Sequence, residues 1–327
     1  ATRWSGLAEE VRRGVADRLG ETAGALGRVL AAAIEAGRGD QLLPLGLACG
    51  ALWPDVSVDD ASIRDVLSAA RVRLEPLVGG QVPTEKLARD WSGLARRLLN
   101  ELPADRAAAE RARAERLLEE VRAESAAELS SVLPAGATRR AVRLGGALAA
   151  WLRDGGSATP VEESLRRFVE HEEIGGTARA ERAEMAARLV RALVDEPAIP
   201  VSSEASGFAP LVRAHVLSGS WFDAARVALM AGDTVGELSS AYAELLRRAR
   251  ARREQENQRF AERLASWNQH PAAEPDLIPV ERVVDQLVAP IADSRSVLVL
   301  LIDGMDLVVW RQLQADLTNR GWTWWRP

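Results

Sequence analysis

The chain has 327 residues, of which 47% are apolar, so it is long enough for two domains or one large domain with a sizeable core. Its net charge of −5 argues against a domain whose main surface grips nucleic acid, because such domains are strongly basic. The single cysteine, Cys49, excludes an internal disulfide, and no stretch is long and apolar enough to be a transmembrane helix. These features predict a cytoplasmic protein.

Residues 4–267 show a helical pattern. Apolar side chains recur every three or four positions, as in Leu7, Val11 and Val15. Glycine and proline interrupt the pattern at intervals of helix length, which predicts about a dozen helices. Residues 1–270 are therefore predicted to form a helical scaffold that is built partly of helical hairpins.

One helix is predicted to be unusually long. Thr234 and Glu237 form a capping box at its start, and the helical pattern continues to about Trp267. Its middle is charged on nearly all sides, so we expect an arm that crosses solvent or pairs through a narrow seam. The arginines from Arg247 to Arg259 leave nucleic-acid binding open, but interleaved glutamates and the acidic total weigh against it.

A different pattern begins after a proline-rich linker at residues 271–279. Residues 280–292 predict a short amphipathic helix, and residues 296–302 form an apolar run that is typical of a strand buried on both faces. A helix and a second strand, from Trp322 to Trp325, follow. Residues 280–327 are thus predicted to be the truncated start of an α/β domain, a first β-α-β unit, in a chain that is otherwise mainly α.

That β-α-β unit cannot cover its own apolar surface in this chain. The run from Val297 to Ile302 has only Trp322–Trp325 to pair with, and two strands do not bury such a surface alone. We therefore expect the residues after Pro279 to pack on the helical domain, to pair with another copy of the chain or to be poorly ordered.

The turn after the predicted strand carries the chemical signature. Asp303 stands at the carboxyl end of the run, where ligands bind in α/β folds, and Gly304 permits a sharp turn. A carboxylate held there is suited to a hard metal or to zinc, although an aspartate after a strand is as often a plain turn residue or a helix cap. Asp306 is better explained as the cap of the helix that follows.

The three histidines give weaker signals. His171 lies among three glutamates, but neighbours on a helix point in different directions, so no ready-made metal site results. We predict that His171 lies at a surface helix end, that His215 is partly buried and that His270 belongs to the linker region. The sequence shows no Ser-His-Asp arrangement, no Cys-His pair and no glycine-rich phosphate loop.

The run from Val297 to Met305, with the helix after it and Gly321-Trp322, resembles the opening of the PglZ domain of actinobacterial type 2 BREX (Pgl) phage-defence systems. The helical region before it is similar to the region that precedes this domain in the PglZ family. The supporting stretches are 45–49, 169–173, 185–190, 259–262 and 279–281. Their order along the chain extends the resemblance over most of the sequence.

The PglZ family is similar to the alkaline phosphatase superfamily, so the resemblance implies a metal-dependent phosphatase or phosphodiesterase that acts on a phosphoester. Asp303 would be a ligand of a divalent metal, zinc, while the nucleophilic Ser or Thr and the other ligands would follow Pro327. The chain is then expected to be an internal, catalytically inactive piece of a longer protein, with no tightly bound metal. Asp306 departs from the small hydroxyl residue expected after Asp-Gly-Met, which argues against a direct phosphate contact there.

The resemblance also implies partners: other BREX/Pgl defence proteins, with no membrane and no nucleic acid contacted through this region. The alternative hypothesis is a non-enzymatic protein-interaction scaffold within the defence complex, because helical scaffolds present surfaces to partners. For the helical region the two hypotheses overlap.

Overall fold

The computed structural model describes residues 6–58, 60–194, 208–269 and 277–324. Within these ranges there are 14 α-helices and no strands, which confirms the prediction of a mainly α chain. The first compact unit comprises Ala1–Ala147, Thr159–Glu181 and Val235–Leu238. The second comprises Leu148–Ala158, Arg182–Thr234 and Ser239–Pro327. In the described part of the chain, no helix is long and apolar enough to cross a membrane.

The helices of the first half of the chain are short to medium in length, and they are α1 Glu9–Thr22, α2 Gly24–Ala33, α3 Leu42–Leu52, α4 Ala61–Leu74, α5 Glu85–Asn100, α6 Ala104–Glu120, α7 Pro134–Asp154 and α8 Thr159–Val169. The helices that follow vary more in length, and they are α9 Ala178–Val194, α10 Phe208–Ala214, α11 Ser220–Met230, α12 Gly236–Gln269, α13 Ala289–Ala292 and α14 Leu307–Asn319. Short 3₁₀ or π turns join several of them.

The core of the first unit is built around α3. Its sequence, LLPLGLACGAL, contains no charged residue, and eight of its 11 residues are buried, so it has no solvent face. Helices α5 and α6 pack against it. Gly46 allows the closest approach, because a Cβ at this position would lie 2.6 Å from Trp91 Cδ1. The Trp91 indole donates from Nε1 to the Leu42 carbonyl oxygen over 3.0 Å, which fixes α5 on α3.

One continuous cluster of buried side chains extends from Val29 to Leu133. It includes Cys49, whose thiol has its pKa raised to about 12 by burial. The cluster ends in the loop before α7. Most buried apolar residues before that loop thus share one hydrophobic core, and Ala16, Ala31 and Ile34 form a small separate cluster.

The second unit contains most of the predicted long helix. The predicted unusual length of this helix is confirmed, because α12 is a single helix of 34 residues. Its N-terminal half buries Tyr242, Leu245 and Ala249, whereas most side chains after Arg253 are exposed. Helix α11 of the same unit buries Phe222, Ala225 and Leu229.

The prediction of a β-α-β unit is wrong for the described residues. The run from Val297 to Ile302 forms no strand and is exposed, with Leu301 91% accessible. A parallel strand needs hydrogen-bonding neighbours, and the second predicted strand does not provide one. Instead, Trp324 folds back on α14, where its ring meets Trp310 edge-on at 5.5 Å. Trp325 lies outside the described residues.

Only the helix between the two predicted strands is present, as α14. Most of the predicted linker, residues 271–276, and His270 lie outside the described residues. The proposed domain boundaries at 270 and 280 therefore stay a prediction.

Candidate functional site

Asp303 lies in an exposed turn before α14, and Gly304 beside it has a φ of +73°. The sharp turn predicted at this glycine is thus present, in the left-handed region that favours glycine. No group of three or more His, Cys, Asp or Glu side chains that could hold a metal ion occurs among the described residues. The residues around Asp303 therefore do not fit a zinc site, which takes three or four protein ligands. A metal at Asp303 stays a prediction.

Asp306 is the N-terminal cap of α14. Its Oδ1 accepts a hydrogen bond from the Val309 backbone N–H over 2.8 Å. The interpretation of Asp306 as a cap is confirmed, because this bond satisfies one of the free N–H groups of the first turn.

The prediction that His171 lies at a surface helix end is wrong. His171 is fully buried in the first unit, with 0% of its surface accessible. Its Nε2 lies 3.0 Å from the Leu133 carbonyl oxygen, and its Nδ1 accepts from the Glu173 backbone N–H at 3.2 Å. A carbonyl oxygen can only accept, so Nε2 carries the proton and the ring is neutral. Burial lowers the pKa of His171, which outweighs the opposite effect of the bond to Leu133.

These bonds tie two segments of the first unit together. The Ser130 hydroxyl accepts from the backbone N–H groups of Val132 and Leu133, at 3.2 Å each, and so shapes the loop before α7. The Glu172 N–H donates to the Ser131 carbonyl oxygen at 2.9 Å. The loop at 130–133 is therefore joined to the segment after α8 through both main-chain and side-chain bonds.

Arg140 is the second buried polar residue at this junction. Only 8% of its surface is accessible, and its guanidinium donates from Nε to the Glu128 carbonyl oxygen and from Nη1 to the Arg167 carbonyl oxygen, at 2.9 and 2.6 Å. Burial lowers the pKa of Arg140, and the nearby charges of Glu170 and Glu128 oppose that effect. The guanidinium thus stays charged in a largely dry position.

Beside Arg140 the first unit has a cleft of about 420 Å³, here called the arginine cleft. Five arginines line it together with small, hydroxyl and acidic residues. Its charged and hydroxyl lining consists of Asp55, Ser57, Arg89, Ser92, Arg96, Glu128, Ser130, Ser131, Arg140, Arg166, Arg167 and Glu170. Sequence reasoning missed this cleft, because its arginines look like the many solvated arginines of the other helices.

In the second unit, the arginines of the predicted arm bind neighbouring carboxylates. Arg253 contacts Asp223 at 3.0 Å, Glu256 at 3.2 Å and the His215 ring at 3.2 Å. Arg252 pairs with Glu256 at 3.1 Å. These arginines are neutralised within the protein, which weakens the nucleic-acid alternative. His215 is partly buried, as predicted, and burial lowers its pKa, with Arg253 acting in the same direction.

A groove of about 290 Å³ runs along α11 in the second unit, and it is here called the α11 groove. Its apolar lining is Val227, Met230, Leu246, Leu307 and Val308. Val227 and Met230 are 62% and 65% accessible, so the groove presents apolar side chains to solvent.

The α11 groove also contains polar atoms without partners. The Ser220 hydroxyl and Arg226 Nε are both buried and make no hydrogen bond to any residue that the structure describes. Such atoms are costly unless something satisfies them. The groove therefore combines apolar surface with unsatisfied polar groups.

In a comparison with known families, residues 1–132 match the family described as BREX system PglZ second domain. This match supports a PglZ family protein. The match ends beside Leu133, the last residue of the buried cluster, so nearly all of that cluster lies within the matched region. No curated protein and no solved structure matches the chain.

The resemblance to the PglZ family is thus confirmed for residues 1–132, and the match supports a protein of a phage-defence system. It falls in the helical region, away from Asp303.

Proposed function

We propose that this chain is a helical scaffold of a PglZ-type protein, and that it docks another protein of the same BREX phage-defence system through the α11 groove. The observation that carries the proposal is the pairing of exposed apolar side chains with unsatisfied polar atoms in that groove. The family match supplies the biological setting.

The apolar part of the groove supports a protein partner. Val227 and Met230 are three residues apart on α11 and so lie on one helix face. Removing them from water would contribute roughly 1.5–3 kcal/mol each. Exposed apolar surface with a polar rim is typical of protein–protein contact sites.

The polar part of the groove indicates what the partner brings. Arg226 Nε is a donor without an acceptor, although Nη1 of the same side chain pairs with Asp223 at 2.9 Å. The Ser220 hydroxyl can donate or accept. We propose a partner segment that places apolar side chains against Val227 and Met230 and a carbonyl or carboxylate oxygen near Arg226.

The hydrolase activity that the resemblance implies is a separate matter. It would use a divalent metal, zinc, bound in part by Asp303, and would act on a phosphoester. Among the described residues, no group of three or more ligand side chains includes Asp303. The proposal accordingly assigns the helical units a docking role and assigns no catalytic step to them.

Co-elution tests the proposal. The chain is co-expressed with each of the other proteins of its BREX system, and the pairs are separated by size-exclusion chromatography. One partner should co-elute with the wild-type chain and be lost when Val227→Glu and Met230→Glu are combined. Val72→Glu is the matched control, because Val72 is 66% accessible on α4 and does not line the α11 groove.

The proposal predicts that Val72→Glu keeps the complex and that the double variant weakens it at least tenfold, since a loss of about 1.4 kcal/mol gives a factor of ten. Co-elution of the partner with the double variant at wild-type affinity would contradict docking at the α11 groove. Failure of every BREX protein to bind the wild-type chain would contradict the scaffold role itself.

A further inference from the structure

The arginine cleft contains more positive charge than its own carboxylates neutralise. Arg89 pairs with Asp55 at 3.2 Å and with Glu85 at 2.7 Å. Arg167 pairs with Glu163 at 3.0 Å. These arginines have counter-charges and need no ligand.

The remaining lining charges are less balanced. Arg96 pairs with Glu172, and Glu128 pairs with Arg143 at 2.5 Å. In the part of the chain that the structure describes, Arg140 and Arg166 form no ion pair. Glu170 is the acidic lining residue that also forms none, so the unpaired charges sum to one positive charge.

Arg140 is the unpaired arginine of the cleft that is buried. Its guanidinium is buried, and the two groups it binds are neutral carbonyl oxygens. A buried charge that lacks an opposite charge in contact is costly. The two bonds of Arg140 use one N–H of Nε and one of Nη1, and Nη2 has no hydrogen-bond partner among the described residues, so three of its five donors remain for a ligand.

The rest of the lining suits an anion with several oxygens. Ser57, Ser92 and Ser131 line the same cleft as the five arginines. Arginine forks bind carboxylates and phosphates, and hydroxyls add donors to the remaining phosphate oxygens. The Glu170 carboxylate is near Arg140 and would repel such an anion, but the two positive charges of Arg140 and Arg166 exceed its single negative charge.

We propose that the arginine cleft binds the phosphate group of a small phosphorylated molecule, held by Arg140 and Arg166. The size of the cleft, about 420 Å³, is in the range of small-molecule sites. A nucleic-acid strand would need a basic stripe, whereas the chain has a net charge of −5 and pairs most arginines around the cleft with carboxylates. The proposal does not depend on docking at the α11 groove.

Calorimetric titration in phosphate-free buffer tests phosphate binding in the arginine cleft, with inorganic phosphate and AMP as the two probes. Arg166→Gln is the test variant, because Arg166 is exposed and forms no ion pair among the described residues. Arg139→Gln is the matched control, since Arg139 is an exposed arginine of α7 that does not line the cleft. We expect saturable binding of AMP that weakens about tenfold in Arg166→Gln and is unchanged in Arg139→Gln.

Binding of both probes with the same Arg166 dependence would show that the phosphate group is the recognised part. Binding of AMP alone, lost in Arg166→Gln, would show a nucleotide-like ligand, and both results support the proposal. The proposal is overturned if neither probe binds, or if Arg166→Gln binds as tightly as the wild type. A single-stranded decanucleotide that binds more tightly than AMP, with the same Arg166 dependence, would overturn the assignment to a small molecule.

Discussion

The His171 ring donates to the Leu133 carbonyl oxygen over 3.0 Å, and these two residues are 38 positions apart. Leu133 follows directly on the region matched to the PglZ second domain, whereas His171 lies well beyond it. The bond therefore joins the end of the matched region to a later segment of the first unit. The matched region is completed by residues that follow it in the chain.

Replacing His171 should destabilise the first unit. His171→Gln cannot reproduce both bonds of the ring, so we expect a loss of about 2 kcal/mol in the free energy of unfolding. Chemical denaturation measures it. Glu173→Gln is the control, because it keeps the backbone N–H that His171 uses and its own side chain is exposed. Equal stability of the two variants would show that the buried ring contributes little.

His171 should also make the free energy of unfolding depend on pH. Burial lowers the pKa of His171 in the folded chain below its ordinary value of 6.5. The unfolded chain therefore takes up a proton at a higher pH than the folded chain does. The stability from His171 is complete above about pH 6.5 and falls as the pH drops toward the folded pKa.

Denaturation at pH 7.5 and at pH 5.5 tests this. The difference in the free energy of unfolding between the two pH values should be smaller in His171→Gln than in the wild type. Burial also lowers the pKa of His215, so His215→Gln should remove its own share, and the double variant should have the flattest profile. A wild-type pH profile in His171→Gln would rule out this role.

Gly46→Ala tests the contact between α3 and α5. The added Cβ would meet Trp91 Cδ1 at 2.6 Å and the Ala95 Cβ at 2.8 Å, so the indole must move from its bond to Leu42. We expect a loss of about 2 kcal/mol. Gly146→Ala on α7 is the control, because nothing lies within 4 Å of its Cβ, and there alanine should stabilise by about 0.8 kcal/mol. Stabilisation by both substitutions would mean that α3 and α5 lie further apart.

Asp306 and Asp303 should respond differently to substitution. Asp306→Ala removes the cap of α14, which costs about 1 kcal/mol and should speed hydrogen exchange of the Val309 amide roughly fivefold. Asp303→Ala should leave that exchange unchanged, because the Asp303 carboxylate has no partner among the described residues. Stoichiometric zinc binding that disappears in Asp303→Ala would show that ligands come together there after all.

Local features were predictable from the sequence, because they depend on residues close along the chain. The length of α12 followed from the helical pattern after Thr234, and the capping role of Asp306 followed from its place beside α14. The Gly304 turn was predicted for the same reason. Each feature depends on residues a few positions apart.

Features that need distant residues were not predictable. The burial of His171 depends on Leu133 and on the loop at 130–133, which no pattern around His171 indicates. The strand expected from Val297 to Ile302 was read from composition alone, although a strand also needs a neighbour to pair with. The arginine cleft needs helices whose packing the sequence does not specify.

Phage challenge of cells that carry the complete BREX system tests the central claim most directly, namely that the chain acts by docking a BREX protein through the α11 groove. The efficiency of plaquing is compared for the wild type, the combined Val227→Glu and Met230→Glu variant, and Val72→Glu, after equal expression and thermal stability have been verified. We predict that the double variant raises plaquing at least about tenfold, because the partner is lost, while Val72→Glu protects like the wild type. Full protection by a stably folded double variant would contradict the claim.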